Sequence, residues 1–564
     1  MSSRRNTLRR FAAVAAVAMI GLVGACGDTG NDTGDSTNGE VKDGPTLTVW
    51  AGSNIPIVAN FNPYSPTALH GALGGVYEPL FLYNKIQDVD PIPLLGEEAT
   101  WNDDGTELEI SLREGVKWND GEDFTADDVV YSFTNDAVQL DFIESVEAVD
   151  GNTVKFTFTI PSFRNEYSLL GATYIVPQHV YSDLDDLVTF ANDDAPVGTG
   201  PFMVDSATDA GYTMVANENY WDTERPSIDR VQYLGIDGAA SAESLLKSKE
   251  LDYTTMFAPQ PDSIINAADL GYLNVTSPNP TVGLICSNAE LGCQGMQTDK
   301  AVRQALSVAI DRGEINEKAY YNLAQLGSPA FVQPGRDDAW VADGIDTLNP
   351  EDAQPEEAKR ILEEAGYTMG SDGYFEKDGQ RLSIKIETVE GWSDQNAAAD
   401  LMTAQAKDAG IELINNTITQ DQYSDRRMTG DYEIFLGALF GTPTSDPFQI
   451  YRNSFTTEFT QPVGTQLEPT QTNYSRYSNP EVDAAITAAA ATNDEEELKE
   501  LYAEVQRHIV EDVPYLSLFH AGSQTFYNQT NFTGWPSEDD LYVFPASWDG
   551  VSAAYVLSSL EYAE

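Results

Sequence analysis

Between Leu382 and Leu439 the hydrophobic positions change period twice. Leu382-Ser-Ile-Lys-Ile-Glu-Thr-Val389 reads as a strand, Gly391-Trp392-Ser393-Asp394 as a turn, and Asn396–Ala409 as a helix closed by Gly410. Ile411–Ile418 returns as a second strand and Tyr432–Leu439 supplies a third. Strand, helix and strand in this order predict a βαβ crossover, right-handed in a parallel sheet. Val154–Ile160 alternates apolar and polar residues like a half-buried strand. Asp299 precedes a helical stretch, Ala301–Ile310, whose apolar positions are Val302, Ala305, Leu306 and Ala309. Pro355–Ala365 starts on a proline and stops before Gly366, the expected punctuation at each helix end. The chain thus predicts an α/β fold, and no internal repeat of fixed short period interrupts it.

The N-terminus has a different pattern. Arg4, Arg5, Arg9 and Arg10 precede an apolar run, Phe11–Val23, of 13 residues. A bilayer span needs about 20, so the run predicts a secretory signal over residues 1–25. Val23-Gly24-Ala25-Cys26 resembles a bacterial lipobox, whose cysteine takes a lipid and becomes the mature N-terminus. Ser3-Arg-Arg-Asn-Thr-Leu8 also looks like a twin-arginine signal, with Thr7 in place of the usual aromatic, so general-secretion and twin-arginine export both stay open. After Cys26, residues 26–45 are polar, Gly-rich and acidic, the composition of a flexible linker.

Composition narrows the partners. The 564 residues carry 90 acidic and 31 basic side chains, a formal charge of −59. Such a surface repels nucleic acid and anionic lipid, so no nucleic-acid partner is expected. Two cysteines besides Cys26 stand close together, Cys286 and Cys293. Outside a reducing cytosol such a pair reads as a local disulfide, with two free thiols as the other reading. The four histidines, His70, His179, His508 and His520, are scattered, and neither a metal nor a cofactor is expected.

Catalytic signatures are missing from the sequence. It contains no Gly-x-Ser-x-Gly elbow and no His-Glu-x-x-His helix. Gly198-Thr-Gly200 is not followed by the lysine of a phosphate-cradling loop. Asp104-Gly105, Asp120-Gly121 and Asp372-Gly373 are hairpin signals rather than calcium loops. Carboxylate pairs are too common here to single out a surface glycosidase, and no enzyme activity is expected.

Six motifs in order carry a resemblance. They are Val76-Tyr-Glu-Pro-Leu80, Leu112-Arg-Glu-Gly-Val-Lys-Trp-Asn-Asp-Gly121 with Phe124–Ser132, Pro196-Val-Gly-Thr-Gly-Pro-Phe202, Asn217-Glu-Asn-Tyr-Trp221, Val302-Arg-Gln-Ala-Leu306 and Ala309-Ile-Asp-Arg312. Together they resemble the family 5 extracellular solute-binding proteins, receptors of oligopeptide- and dipeptide-type ABC importers. The resemblance implies a two-lobed periplasmic-binding-protein-like fold with a hinge and an extra small domain on the first lobe. By that pattern the first lobe is discontinuous (46–75, 195–280 and 525–564), the extra domain spans 76–194 and the second lobe 281–524. It further implies a monomer that closes around a ligand and delivers it to an ABC permease with its ATPase subunits, held by its lipid on the outer face of the cell membrane. A sensor passing occupancy to a signalling partner uses the same fold.

Ligands of open α/β sheets bind beyond the carboxyl ends of the strands. Trp392 and the loop Phe440–Pro447 occupy such positions, which nominates Trp392, Phe440, Thr442 and Asp446 as cleft residues. Trp392 reads equally as a core aromatic capping the sheet. In peptide-binding members an aspartate three residues before an Asp/Glu-Pro step pairs with the ligand's α-ammonium. Here the step is Asp446-Pro447 and Pro443 stands three residues earlier, so Asp446 is the available substitute. Gly391-Trp-Ser-Asp394 is similar to a Gly-Trp-Thr-Asp stretch of oligosaccharide-binding members, and a tryptophan face suits sugar rings. A peptide is the leading ligand class and an oligosaccharide the alternative.

Overall fold

The computed structural model describes residues 44–138, 140–468 and 470–563. The export signal, the lipobox with Cys26 and most of the acidic linker lie outside the described residues. Among the described residues, no helix is long and apolar enough to cross a membrane.

The βαβ unit is present. Ser383–Val389 pairs in parallel with Glu412–Ile418, Ser383 opposite Glu412 and Val389 opposite Ile418, and the helix Ser393–Asp408 connects them. Ile434–Ala438 lies parallel on the other side of Ser383–Val389. The helix starts three residues earlier than the sequence predicts. Gly391 takes a φ of +91°, which a Cβ would disfavour. The chain therefore reverses within two residues, and the Trp392 carbonyl already accepts the Asn396 N–H at 2.8 Å. The other elements fall close to their expected places. The strand near Val154 spans Thr153–Phe158, the helix after Asp299 spans Lys300–Ala309 with Asp299 capping the Ala301 N–H at 3.0 Å, and the proline-led helix spans Pro355–Glu364.

Two long strands join the halves of the molecule. Gly271–Ile285 and Tyr515–Tyr527 pair antiparallel along nearly their whole length, with register shifts between Thr276 and Pro280 and between Thr281 and Val282. On one side of the first break Tyr515–Tyr527 continues into Tyr253–Thr255, Leu47–Trp50, Arg230–Leu234, Gly211–Ala216 and Phe202–Thr208. On the other side Gly271–Ile285 continues into Ile434–Ala438, Ser383–Val389 and Glu412–Ile418. This is a two-lobed fold, with the paired strands forming its hinge. Each lobe has its own core: Leu47, Val49, Phe61, Val231 and Tyr253 in the first, and Ile384, Ile386, Ala399, Met402 and Ile434 in the second.

A small domain adds a separate antiparallel sheet in the order Gly96–Trp101, Glu107–Leu112, Thr153–Phe158, Ile143–Asp150. Its core, with Leu108, Ile110, Trp118, Val129 and Phe156, is distinct from those of the lobes. Four of the six sequence motifs meet where it joins the first lobe. Glu78 is buried and accepts hydrogen bonds from the Tyr220 hydroxyl at 3.0 Å and the Trp221 indole N–H at 3.2 Å. Arg113 stacks over the Trp221 ring at 4.0 Å. A Cβ on Gly198 would lie 2.0 Å from the Val76 carbonyl oxygen, so only glycine permits that approach. The remaining motifs hold the second lobe together. Arg303 donates to the carbonyls of Thr298 (2.9 Å), Gln297 (3.0 Å), Asp512 (2.9 Å) and Val513 (3.1 Å), and Arg312 donates to that of Ser517 at 3.0 Å. The motifs that carry the resemblance therefore shape joints and cores rather than a ligand site.

Candidate ligand cleft

The loop 440–447 leaves the carboxyl end of Ile434–Ala438 and is pressed against the hinge. The Gly441 N–H donates to Asn279 Oδ1 at 2.9 Å, and a Cβ at Gly441 would sit 1.7 Å from the Pro278 carbonyl oxygen. Phe440 projects outward, 61% exposed. Thr442 is buried, and its Oγ1 accepts from Arg336 Nη2 at 2.8 Å while its carbonyl accepts from Nη1 at 3.1 Å. Arg336 is itself paired with Asp337, Nε to Oδ1 at 2.7 Å, both side chains nearly inaccessible. Its Nη1 also reaches the Lys85 carbonyl at 2.6 Å. One guanidinium thus ties the loop to a segment on the opposite side of the cleft.

Asp446 is equally engaged. Its carboxylate pairs with Arg164 of the small domain and accepts the Tyr502 hydroxyl at 2.7 Å and the Phe448 N–H at 2.8 Å. Burial, followed by the charge and hydrogen bond of Asp446, pushes the Tyr502 phenol far above its ordinary range. Arg164 donates its other arm to Asn493, and the Trp340 indole N–H donates to the Ser445 carbonyl at 2.8 Å.

Two cavities lie along this junction and share Tyr167. One, of about 240 Å³, is walled by Trp101, Phe163, Tyr167, Thr444, Gln449 and Asn493, with Arg164 and Asp446 at its edge. The other, of about 260 Å³, lies between Tyr83, Lys85, Tyr167 and Tyr174 on one side and Trp548 and Asp549 on the other. Their charges, Glu166 apart, are already paired with an opposite charge. Lys85 is paired with Asp549, and although burial works against the charge, Asp549 and Tyr167 hold the ammonium above the ordinary lysine range. Glu166 accepts the Tyr83 hydroxyl at 2.9 Å and the Trp101 indole N–H at 3.0 Å. What remains open is mostly aromatic face with a few neutral amides and the Glu166 carboxylate, which has no cation beside it among the described residues.

Of the four residues nominated from sequence, Thr442 and Asp446 are brought together through the loop, but their polar atoms are committed to Arg336 and Arg164. Phe440 stands apart from both cavities. Trp392 is half-buried and meets Tyr423 edge-to-face at a centroid distance of 5.3 Å, at the margin of a second hydrophobic cluster of that lobe built on Tyr423, Phe435, Tyr451 and Phe455. Cys286 and Cys293, both within that cluster, are joined in a disulfide, Cα atoms 5.4 Å apart. Sequence reasoning missed Arg164, Arg336, Lys85 and Tyr167, which have no motif spacing. Their one signal is scarcity: in a chain with three acids to each base, a buried arginine or lysine is an exception.

The sequence matches the family described as bacterial extracellular solute-binding proteins, family 5 (middle), over residues 90–461. The chain belongs to the family 5 solute-binding proteins. Among relatives, this binding protein is 28% identical over 477 residues to Protein XP55 of Streptomyces lividans, covering 80% of this chain and 76% of that one. It is 24% identical over 478 residues to the oligopeptide-binding protein AppA of Bacillus subtilis, covering 80% and 83%. Its structure resembles the periplasmic oligopeptide-binding protein of an oligopeptide ABC transporter from Thermotoga maritima, with a TM-score of 0.82, 26% identity and coverage of 92% of this chain and 99% of that one. The mannohexaose-bound form of that protein matches with a TM-score of 0.77, 25% identity and coverage of 93% and 99%. Proteins of this family act as the binding components of ABC importers, beside a permease and its ATPase.

Proposed function

We propose that this protein is the substrate-binding subunit of an ABC importer and captures a peptide by closing its lobes. The observation that carries this reading is the hinge: two strands shared by both lobes, with a broken register beside the loop that faces the cleft. A ligand drives closure only through contacts better made in the closed state. The cavity walled by Trp101, Phe163 and Tyr167 of the small domain and by Thr444, Gln449 and Asn493 of the second lobe provides such contacts. The family match and the relatives named for oligopeptides favour a peptide. In this reading 46–75, 195–280 and 525–564 move as one lobe carrying 76–194, and 281–524 as the other. The protein acts without catalysis, as a monomer, tethered outside the cell membrane through a lipid on Cys26.

A second reading is an oligosaccharide ligand. It is favoured by the mannohexaose-bound relative and by the internal pairing of Lys85 with Asp549 and Arg164 with Asp446, which leaves Glu166 as the one lining charge without an ionic partner among the described residues. Titration calorimetry of the full-length protein against short peptides and against mannohexaose separates the two. Saturable binding of peptides alone upholds the first reading, sugars alone the second, and neither overturns both.

A further inference from the structure

On the far side of the Arg164–Asp446 bridge lies another cavity, of about 520 Å³. It separates the small domain, represented by Phe142, Ile160 and Pro161, from the second-lobe helices Phe448–Phe455 and Pro480–Ala490, represented by Phe448, Ile486 and Ala490. That volume falls within the range of small-molecule sites, about 300–1,000 Å³. Ile160 is 52% exposed at its edge, an apolar side chain left uncovered by the fold.

The polar groups on this cavity differ in one respect. Asp483 is engaged, accepting the Thr457 N–H at 2.8 Å and the Thr457 hydroxyl at 2.7 Å. Arg164 is committed to Asp446 and Asn493. Arg452 is not committed: its guanidinium lies over the Phe459 ring at 4.7 Å and, among the described residues, has neither a hydrogen-bonding nor a salt-bridge partner. Glu458, exposed at the rim, acts on it only through its field. In a chain with 90 acids for 31 bases, a half-buried arginine with no carboxylate in contact, beside a largely apolar cavity, is a cation answered only by the field of Glu458. The group that complements it joins a single negative charge to a hydrocarbon body.

We propose that this cavity is a second binding site, separate from the cleft, for a small apolar carboxylate. The carboxylate meets Arg452, and the hydrocarbon body fills the space between Ile160 and Phe142 on one side and Ile486 and Ala490 on the other. Because the occupant touches both the small domain and the second lobe, it binds the closed arrangement better than the open one. It therefore strengthens capture of the cleft ligand, and the cleft ligand strengthens its own binding by the same factor.

Titration calorimetry of the full-length protein with octanoate tests the site, with 1-octanol as the uncharged control. Saturable octanoate binding is expected, weakened at least tenfold in Arg452→Gln and partly retained in Arg452→Lys, with the melting temperatures of both variants unchanged. Ile486→Trp, which fills the cavity without touching the charge, is expected to abolish binding as well. The proposal is overturned if octanol binds as tightly as octanoate, if Arg452→Gln binds octanoate unchanged, or if no saturation is reached at about 10 mM, weaker than any useful affinity.

Discussion

Arg164 and Asp446, 282 positions apart, form one ion pair between the small domain and the loop that borders the cleft. The side chains are 14% and 15% exposed, so the pair is largely out of water. Removing one partner of a buried pair strands the other charge, which costs more than the pair itself contributes. Arg164→Met is therefore expected to weaken ligand binding at least tenfold, about 1.4 kcal/mol, because the bridge helps hold the closed state. Calorimetry checks it. Tighter binding in this variant would mean the opposite: a cationic ligand group competes with Arg164 for Asp446.

Trp392 and Tyr167 divide packing from binding. Trp392 has one edge on Tyr423 at the core margin, and full burial of such a ring would make truncation to alanine cost about 3–5 kcal/mol. Half-burial reduces this to about 2 kcal/mol, expected for Trp392→Ala as a shift in the urea midpoint. Tyr167 lines both cleft cavities, and Tyr167→Ala is expected to reduce affinity at least tenfold. If the effects are exchanged, with Trp392→Ala losing affinity and Tyr167→Ala only stability, the tryptophan belongs to the site.

The elements of the second lobe were legible because each follows from a local rule. Alternation marks Ser383–Val389, and an aspartate cap and an apolar stripe mark Lys300–Ala309. The small domain and hinge were legible only through the resemblance, since nothing local in Gly271–Ile285 says that its two ends serve different lobes. The cleft was legible least. Loop 440–447 was identified by its place after a strand, but its side chains are answered by Arg164 and Arg336, residues 282 and 106 positions away. Ion pairs at such separations leave no spacing in the sequence.

Cys286 and Cys293 close a short loop against the second-lobe core, both buried. A cross-link over so few residues removes about 2 kcal/mol of conformational freedom from the unfolded chain. The double variant Cys286→Ser, Cys293→Ser is expected to lose that much stability while keeping ligand affinity, because neither sulfur faces a cleft cavity. Unchanged denaturant midpoints in oxidised wild type and double variant would show that the bridge does not constrain the unfolded chain.

Two buried groups set opposing pH dependences. Burial, offset in part by donors including Tyr220 and Trp221, raises the Glu78 carboxyl from 4.5 to about 7. Burial at the hinge lowers His520 from 6.5 to about 4, although its Nδ1–H donates to the Ser277 carbonyl at 2.8 Å, and its Nε2 has no partner among the described residues. Between about pH 4.5 and 7 folded Glu78 holds a proton that the unfolded chain has lost, so its contribution to stability falls as pH rises. Between about pH 4 and 6.5 the unfolded histidine holds a proton that folded His520 refuses, so its contribution rises with pH. Each effect amounts to about 3 kcal/mol across its window, and where the windows overlap they nearly cancel. Wild-type stability is therefore expected to change little from these two groups between pH 4.5 and 6.5. Glu78→Gln removes the falling component and should show stability increasing with pH relative to wild type. His520→Asn, which keeps a donor for Ser277, removes the rising component and should show the reverse. Urea midpoints of the three proteins across this range give the differences directly, and groups common to all three drop out of the comparison. Parallel curves for all three would mean that neither Glu78 nor His520 changes its proton occupancy on folding.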